Sequence, residues 1–288
     1  MTSTLGDPSG RGDTYPVPVL QLPRSARLAA WGTAVLRGNA SVADAVAAIT
    51  DDDEPHVVDA RPDPLDAGPL GSPGLAELLA ALAGGGVAGL RLVLPAPGDA
   101  LGLPGPPAFN ETALDAGECV LGYPANGHLP DGTGGRGMVP AVEVFGSAWE
   151  PGCYVSWSVH DVAPLRVTDV GSLGEADRAL REALAEATST LATLDVARWR
   201  DDAAGRIAAV RGGALGPRTL PPGFAVRAVQ VLSTAARVRA IVDLAAEDDG
   251  AAVSSWEAAQ RADALRGLDA VARRGIVAGI NSQLETTR

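Results

Sequence analysis

The spacing of apolar residues divides the chain into two parts that follow different periods. Before about residue 170 the apolar runs are short and are separated by glycine and proline, whereas after Asp169 apolar positions recur about every 3.6 residues. Short bounded runs are typical of strands and brief helices, and a sustained helical period is typical of long helices. The pattern predicts an α+β fold with a small mixed α/β N-terminal part that contains an antiparallel hairpin, followed by a C-terminal bundle of three long helices.

The same change of pattern predicts the domain boundaries. Residues 1–22 are rich in glycine, proline, serine and aspartate, which is typical of a disordered tail. An acidic mixed α/β domain is expected over residues 23–170, and a helical bundle domain over residues 171–288. Within the first domain, helices are predicted over 24–37, 41–49 and 75–83, strands over 56–58, 90–94 and 118–121, and a glycine-rich loop over 122–140.

The clearest strand signal lies in the segments Ala141 to Phe145 and Tyr154 to His160. Pairing Phe145 with Tyr154 sorts the side chains of this hairpin onto two faces. We expect one face to be solvated and the other to contact the core. The solvated face would carry Glu143, Ser156, Ser158 and His160, and the core face Val142, Val144, Val155 and Trp157.

In the helical half, a seam of apolar residues predicts a long helix that ends near Arg211, before Gly212 and Gly213. A central helix is predicted over 224–246 because it is apolar on more than one face, and a last helix begins near Ser255. The seam consists of Leu180, Leu184, Ala187, Leu191 and Leu194.

Charge narrows the classes of partner. All 23 basic residues are arginines, and the net charge of −12 arises before residue 174, where 20 acidic residues face 8 arginines. Such a surface repels phosphate backbones and anionic lipid, so we expect no nucleic acid and no membrane partner. The first twenty residues lack a secretory signal, and the two cysteines suit a reducing compartment, so the protein is expected to be cytoplasmic.

Two apparent motifs fail when their context is considered. Gly132, Gly134 and Gly137 match a dinucleotide-binding pattern, but a strand follows them where the motif requires a helix. Cys119, His128, Cys153 and His160 have spacings that match no common zinc module, and alternation places Cys153 and His160 on opposite faces. We therefore predict no cofactor and no metal site.

The candidate catalytic residues that remain are few. His128 and Asp131 lie in the predicted glycine-rich loop, and Glu143 and His160 share one face of the hairpin. A histidine beside serines on that face could activate a hydroxyl, and a loop histidine with an aspartate could perform acid–base chemistry. No nucleophile elbow or oxyanion hole accompanies them.

Four segments have a distinctive sequence: 91–99 (RLVLPAPGD), 109–114 (FNETAL) with Gly117 and Glu118, 194–199 (LDVARW) and 220–224 (LPPGF). In these segments the chain resembles members of an uncharacterised actinobacterial protein family. The resemblance implies a shared fold and no particular chemistry. The favoured function is a non-enzymatic cytoplasmic interaction or regulatory protein, and the alternative is a small-molecule hydrolase with a site in residues 122–160. Partners are expected to be a protein or a small molecule, and the helical half could also form a homo-oligomer.

Overall fold

The computed structural model describes residues 18–59, 73–125, 128–147, 150–164, 171–193, 209–247 and 255–285. Short helices and strands alternate up to residue 162 and longer helices follow, so the predicted α+β fold class is confirmed. The helices of the first part are α1 (Arg24–Leu36), α2 (Val42–Thr50), α3 (Leu75–Gly84) and α4 (Pro107–Ala116). The later ones are α5 (Leu173–Thr193), α6 (Val226–Glu247) and α7 (Ser255–Glu285).

Five strands build one mixed sheet. They are β2 (Val57–Asp59), β3 (Val87–Val93), β4 (Cys119–Pro124), β5 (Gly135–Ser147) and β6 (Glu150–Val162). Their spatial order is β2, β6, β5, β4, β3, with β2 parallel to β6 and every other pair antiparallel. A separate parallel pair is formed by β1 (Val19–Leu20) and β7 (Ala214–Leu215).

Buried side chains form a main core that runs through both parts of the chain. Leu92 and Trp157 on one face of the sheet belong to the same cluster as Leu180, Leu232 and Ile276 of the later helices. A smaller cluster lies on the opposite face of the sheet, where α4 covers the beginning of β5 and the end of β6. It includes Phe109, Cys119, Leu121, Val139 and Val162.

Side chains from two helices close the outer edge of β3. The hydroxyl of Thr33 in α1 accepts a hydrogen bond from the backbone N–H of Leu90 at 2.9 Å and donates to its carbonyl at 3.2 Å. In the same way, the side-chain oxygen of Asn281 in α7 accepts a hydrogen bond from the backbone N–H of Leu92 at 2.8 Å, and its side-chain nitrogen donates to the Leu92 carbonyl at 3.0 Å. Each polar side chain thus replaces the backbone of a missing strand, and this edge is not available for pairing.

The faces of the hairpin are as predicted, but its register is wrong by two residues. Phe145 pairs with Gly152, and Glu143 pairs with Tyr154. The prediction ended β5 at Phe145, whereas the strands continue until Ser147 pairs with Glu150. A shift of two residues preserves the alternation of side chains, which is why the face assignment survives.

The predicted loop over residues 122–140 is also wrong, because β4 continues to Pro124 and β5 begins at Gly135. Gly137 is a strand residue, and a Cβ atom built on it would lie 2.3 Å from the ring of Phe109. The glycine therefore permits close packing of α4 on the sheet. A glycine-rich composition predicts a flexible loop, but glycines that are required for close packing in a strand produce the same composition.

One further boundary and one helix differ from expectation, and part of a third element cannot be compared. The predicted tail is wrong at its end, because Leu20 and Leu22 are buried in the main core. Helix α4 was not predicted at all. The long helix predicted to end near Arg211 is described to residue 193 and again from 209, and residues 194–208, with Leu194 of the seam, lie outside the described residues.

Candidate functional site

The loop candidates His128 and Asp131 are both exposed. Asp131 Oδ1 accepts hydrogen bonds from the backbone N–H of Thr133 at 3.0 Å and from its hydroxyl at 2.7 Å, and Asp131 also forms an ion pair with Arg136. These contacts lower the pKa of Asp131 to about 2, with the Thr133 bonds as the main cause. A carboxylate held this firmly in its charged form is a poor general base near neutral pH.

His160 is half-buried on the face of the sheet that α4 covers. Its ring meets the ring of Phe109 edge-on with centroids 5.6 Å apart, and its Nε2 lies 3.0 Å from the hydroxyl oxygen of Ser158. Burial lowers the pKa of His160, and the charge of Asp161 offsets this in part. No residue that the structure describes forms a hydrogen bond to Nδ1 of His160. This face was predicted to be solvated, and around His160 the packing of α4 makes that prediction wrong.

Glu143 lies on the same face as His160 but far along the hairpin. His160 pairs with Gly137, which lies six residues before Glu143 on β5. At the usual rise of a strand, His160 and Glu143 are therefore about 20 Å apart along the hairpin. Glu143 is exposed and pairs with Tyr154. The two residues therefore do not form a common site.

A buried polar relay, which the sequence reasoning missed, connects α1 to the sheet. Arg24 donates two hydrogen bonds to the carboxylate of Asp53, at 2.6 Å and 2.7 Å. Asp53 contacts Nε2 of His56 at 3.2 Å, and the indole N–H of Trp157 donates to Nδ1 of His56 at 3.1 Å. The run of four acidic residues from Asp51 to Glu54 suggests solvated charge, but this interpretation is wrong for Asp53, whose side chain is only 10% exposed.

The relay fixes the protonation of each member. An indole N–H can only donate, so Nδ1 of His56 must accept, and the ring proton lies on Nε2 facing Asp53. Burial lowers the pKa of His56, while Asp53 acts in the opposite direction. Burial alone would raise the pKa of Asp53, but the bonds from Arg24 and His56 lower it. Since the side chain of His56 is fully buried, the relay can hold the sheet and α1 together but offers no surface to a substrate.

A second missed carboxylate, Glu118, caps α1 from a distance. Helix α1 begins after Pro23, which provides no side-chain cap, and Glu118 accepts a hydrogen bond from the backbone N–H of Ser25 at 2.7 Å. Burial raises the pKa of Glu118, although this hydrogen bond opposes the shift. A carboxylate at a helix N-terminus is a stabilising arrangement that requires no ligand.

The most exposed apolar side chains of the sheet lie at the outer end of the hairpin. We call residues 141–147 of β5 and 150–155 of β6 the outer hairpin. Val142, Val144 and Phe145 are 40%, 73% and 49% exposed, although Val142 and Val144 belong to the face predicted to contact the core. A Cβ atom on Gly152 would lie 2.5 Å from the ring of Phe145, so the missing side chain lets that ring rest on the backbone of β6.

One edge of the outer hairpin has no neighbouring strand. β4 pairs with β5 only at residues 136–138, and no described strand pairs with this edge of β5 farther along. The other side of the hairpin is held by β2, and the backbone N–H of Glu54 donates to the carbonyl of Cys153 at 2.9 Å. Cys153 is only half-buried, although alternation places it on the face that was predicted to contact the core.

The charge of the outer hairpin is entirely negative. No arginine or lysine occurs between residues 137 and 165, whereas Glu143, Glu150 and Asp161 fall within this segment. Asp52 and Glu54 are exposed in the segment that leads into β2. A strand edge, apolar side chains and carboxylates are therefore presented together.

The described residues contain neither a cluster of metal-binding side chains nor a helix that could span a membrane. No group of three or more histidine, cysteine, aspartate or glutamate side chains there is arranged to hold a metal ion. None of the helices that the structure describes is long and apolar enough to cross a membrane.

Comparison with known proteins identifies relatives of both parts of the chain. The family models described as Rv1486c-like protein, N-terminal domain and C-terminal domain match residues 25–170 and 174–277. Uncharacterized protein Rv1486c of Mycobacterium tuberculosis is 32% identical over 215 residues, which cover 68% of this chain and 71% of that protein. Uncharacterized protein ML1804 of Mycobacterium leprae is 29% identical over 213 residues, covering 68% and 69%. No solved structure matches the chain. The resemblance to an uncharacterised actinobacterial family is confirmed.

Proposed function

This chain belongs to the Rv1486c-like protein family, and from that premise we propose that it is a non-enzymatic interaction protein of the cytoplasm that docks a protein partner on the outer hairpin. The observation that carries the proposal is the edge of β5 with which no described strand pairs after residue 138, beside exposed Val142, Val144 and Phe145. Native proteins commonly cover or guard such an edge because its free backbone groups invite pairing with another chain.

The contrast with β3 supports this interpretation. On β3, Thr33 and Asn281 occupy the backbone groups of the edge strand. The outer hairpin carries no lysine, its one proline, Pro151, lies in β6 and not on the open edge, and Glu143 is the one charged residue on that part of β5. Strand addition would supply backbone hydrogen bonds for affinity, and Val144 and Phe145 would supply contacts for specificity.

Charge indicates which kind of partner suits this surface. The outer hairpin is acidic, so a partner segment that carries arginine or lysine next to apolar residues is complementary. A second copy of the chain would bring like charges together, because Glu143 of each copy would approach the same shared edge. We therefore propose a basic extended segment of a different protein.

The test compares two equally exposed valines. Val144 is 73% exposed on the outer hairpin, and Val226 is 74% exposed at the start of α6. Tagged parent, Val144→Lys and Val226→Lys proteins are used to capture partners from the native host, and captured proteins are quantified by mass spectrometry. A basic partner should fall at least about tenfold with Val144→Lys, since a buried unpaired charge costs more than 1.4 kcal/mol, and stay unchanged with Val226→Lys. Equal recovery with all three proteins would contradict the proposal.

A hydrolase remains the second candidate because of one contact, the 3.0 Å distance between Nε2 of His160 and the hydroxyl oxygen of Ser158. A serine activated in this way would react with a fluorophosphonate probe. Labelling of the parent protein that disappears in Ser158→Ala would favour the hydrolase. Absence of labelling in the folded parent would favour the interaction protein.

A further inference from the structure

A shallow cleft follows the edge of β3, between the loop after this strand and one side of α7. Its floor is the end of β3, and its walls carry Leu101 from the loop and Val277 from the helix. Three arginines, Arg91, Arg273 and Arg274, line it together with a single carboxylate, Asp99. A basic cleft is unexpected in a chain with a net charge of −12.

Two of the three arginines already have acidic partners. Arg273 is buried and donates to the Leu94 carbonyl at 2.7 Å and to Asp269 at 2.8 Å. Arg274 is exposed and lies 3.3 Å from Asp99. Arg273 therefore fixes the geometry of the cleft, while Arg274 remains able to turn toward a ligand.

Arg91 is the cation without compensation. It is half-buried on β3, and its guanidinium group forms no hydrogen bond or ion pair with any residue that the structure describes. Arg91 pairs with Leu121 on β4, and Tyr123 follows two residues later on that strand. Burial raises the pKa of Tyr123, and the charge of Arg91 opposes this shift in part. A partly buried guanidinium without an anion is costly, and a bound anion would relieve this cost.

We propose that this cleft binds a small organic anion, with its charged head between Arg91 and Arg274 and its apolar body against Leu101 and Val277. The guanidinium group donates in a planar fork that suits both a carboxylate and a phosphate, and the experiment separates these two head groups. Small-ligand sites commonly combine an apolar lining with a few fixed polar groups, as this cleft does. The site is independent of the outer hairpin.

Binding is tested by NMR titration of the full chain with butyrate, butyl phosphate and butanol at constant ionic strength. The two anions present a carboxylate and a phosphate on the same apolar body, and butanol lacks the charge. We expect at least one anion to shift the amides of residues 91–102 and 273–281, and butanol to have no effect. Stronger binding of one anion identifies the head group.

Three variants assign the binding to the proposed residues. Arg91→Gln should weaken anion binding by about tenfold or more, as expected for loss of a hydrogen bond to a charged group. Arg266→Gln removes an exposed charge elsewhere on α7 and should leave binding unchanged. Asp99→Asn should tighten binding about threefold, because it removes the carboxylate that competes for Arg274. A gain of affinity cannot be explained by damage to the fold.

The proposal is overturned if neither anion shifts these amides at concentrations up to about 50 mM, which corresponds to less than about 2 kcal/mol of binding free energy. It is also overturned if Arg91→Gln binds the anions as tightly as the parent does, or if butanol binds as tightly as either anion.

Discussion

Replacing Asn281 with leucine should destabilise the protein by about 2–4 kcal/mol, although the two side chains branch at the same carbon. The amide of Asn281 makes both hydrogen bonds of Leu92, at 2.8 Å and 3.0 Å, and both residues are buried, at 4% and 0% exposed. The variant would leave one N–H and one carbonyl without a partner and without water. Each such group costs about 1–3 kcal/mol, and the more apolar leucine returns part of the sum.

Urea denaturation of parent and variant measures this change directly. Thr33→Val provides a matched comparison, because it removes one hydroxyl that serves Leu90 in the same way at little change in volume, and about 1–3 kcal/mol should be lost. Arg266→Gln serves as the neutral control on α7. If Asn281→Leu were as stable as the parent, the claim that side chains close the β3 edge energetically would be refuted.

Three further predictions concern the core, the relay and the helix cap. Leu232→Asp should cost about 3 kcal/mol or more because Leu232 is fully buried, and Ser158→Ala less than about 1 kcal/mol, both measured by urea denaturation. Burial lowers the pKa of His56 from its usual 6.5, so the unfolded chain binds the proton more readily. The contribution of His56 to the free energy of unfolding should therefore be fully present above about pH 6.5 and decrease below it. Urea denaturation between pH 5 and 7 should show a shallower decrease in His56→Gln than in the parent, and identical profiles would contradict this. Glu118→Gln keeps an acceptor for the N–H of Ser25 and should be stable within about 0.5 kcal/mol of the parent, whereas Glu118→Ala should lose about 1–2 kcal/mol; equal thermal midpoints of the two variants would rule out the capping role.

Periodicity predicted the elements whose signals are local. The apolar seam and the central helix follow a period that requires no knowledge of the rest of the chain, and Leu180 and Leu232 are buried as this pattern implies. Helix α4 was missed because prolines and glycines surround it. The signal was nevertheless present, since Pro107 suits the first helical turn, Phe109 and Ala113 are four residues apart, and Gly117 adopts the left-handed conformation that ends the helix.

The features that give the surface its chemistry depend on contacts between distant residues. Arg24 meets Asp53 across 29 positions and Trp157 meets His56 across 101, so no local pattern could pair them. Exposure of Val144 was equally hidden, because alternation assigns a side chain to a face but does not say where the covering helices end. The candidate residues His160 and Glu143 share a face, as predicted, but the length of the strands separates them.

The proposed docking role of the outer hairpin is tested most directly by site-specific photo-crosslinking in the native host. A photoreactive phenylalanine analogue replaces Phe145, which is 49% exposed, and a control protein carries it at Val226, which is 74% exposed. The account predicts an adduct with one basic protein at position 145, weakened by Val144→Lys, and no such adduct at position 226. The absence of an adduct at position 145, or the same adducts at both positions, would contradict it.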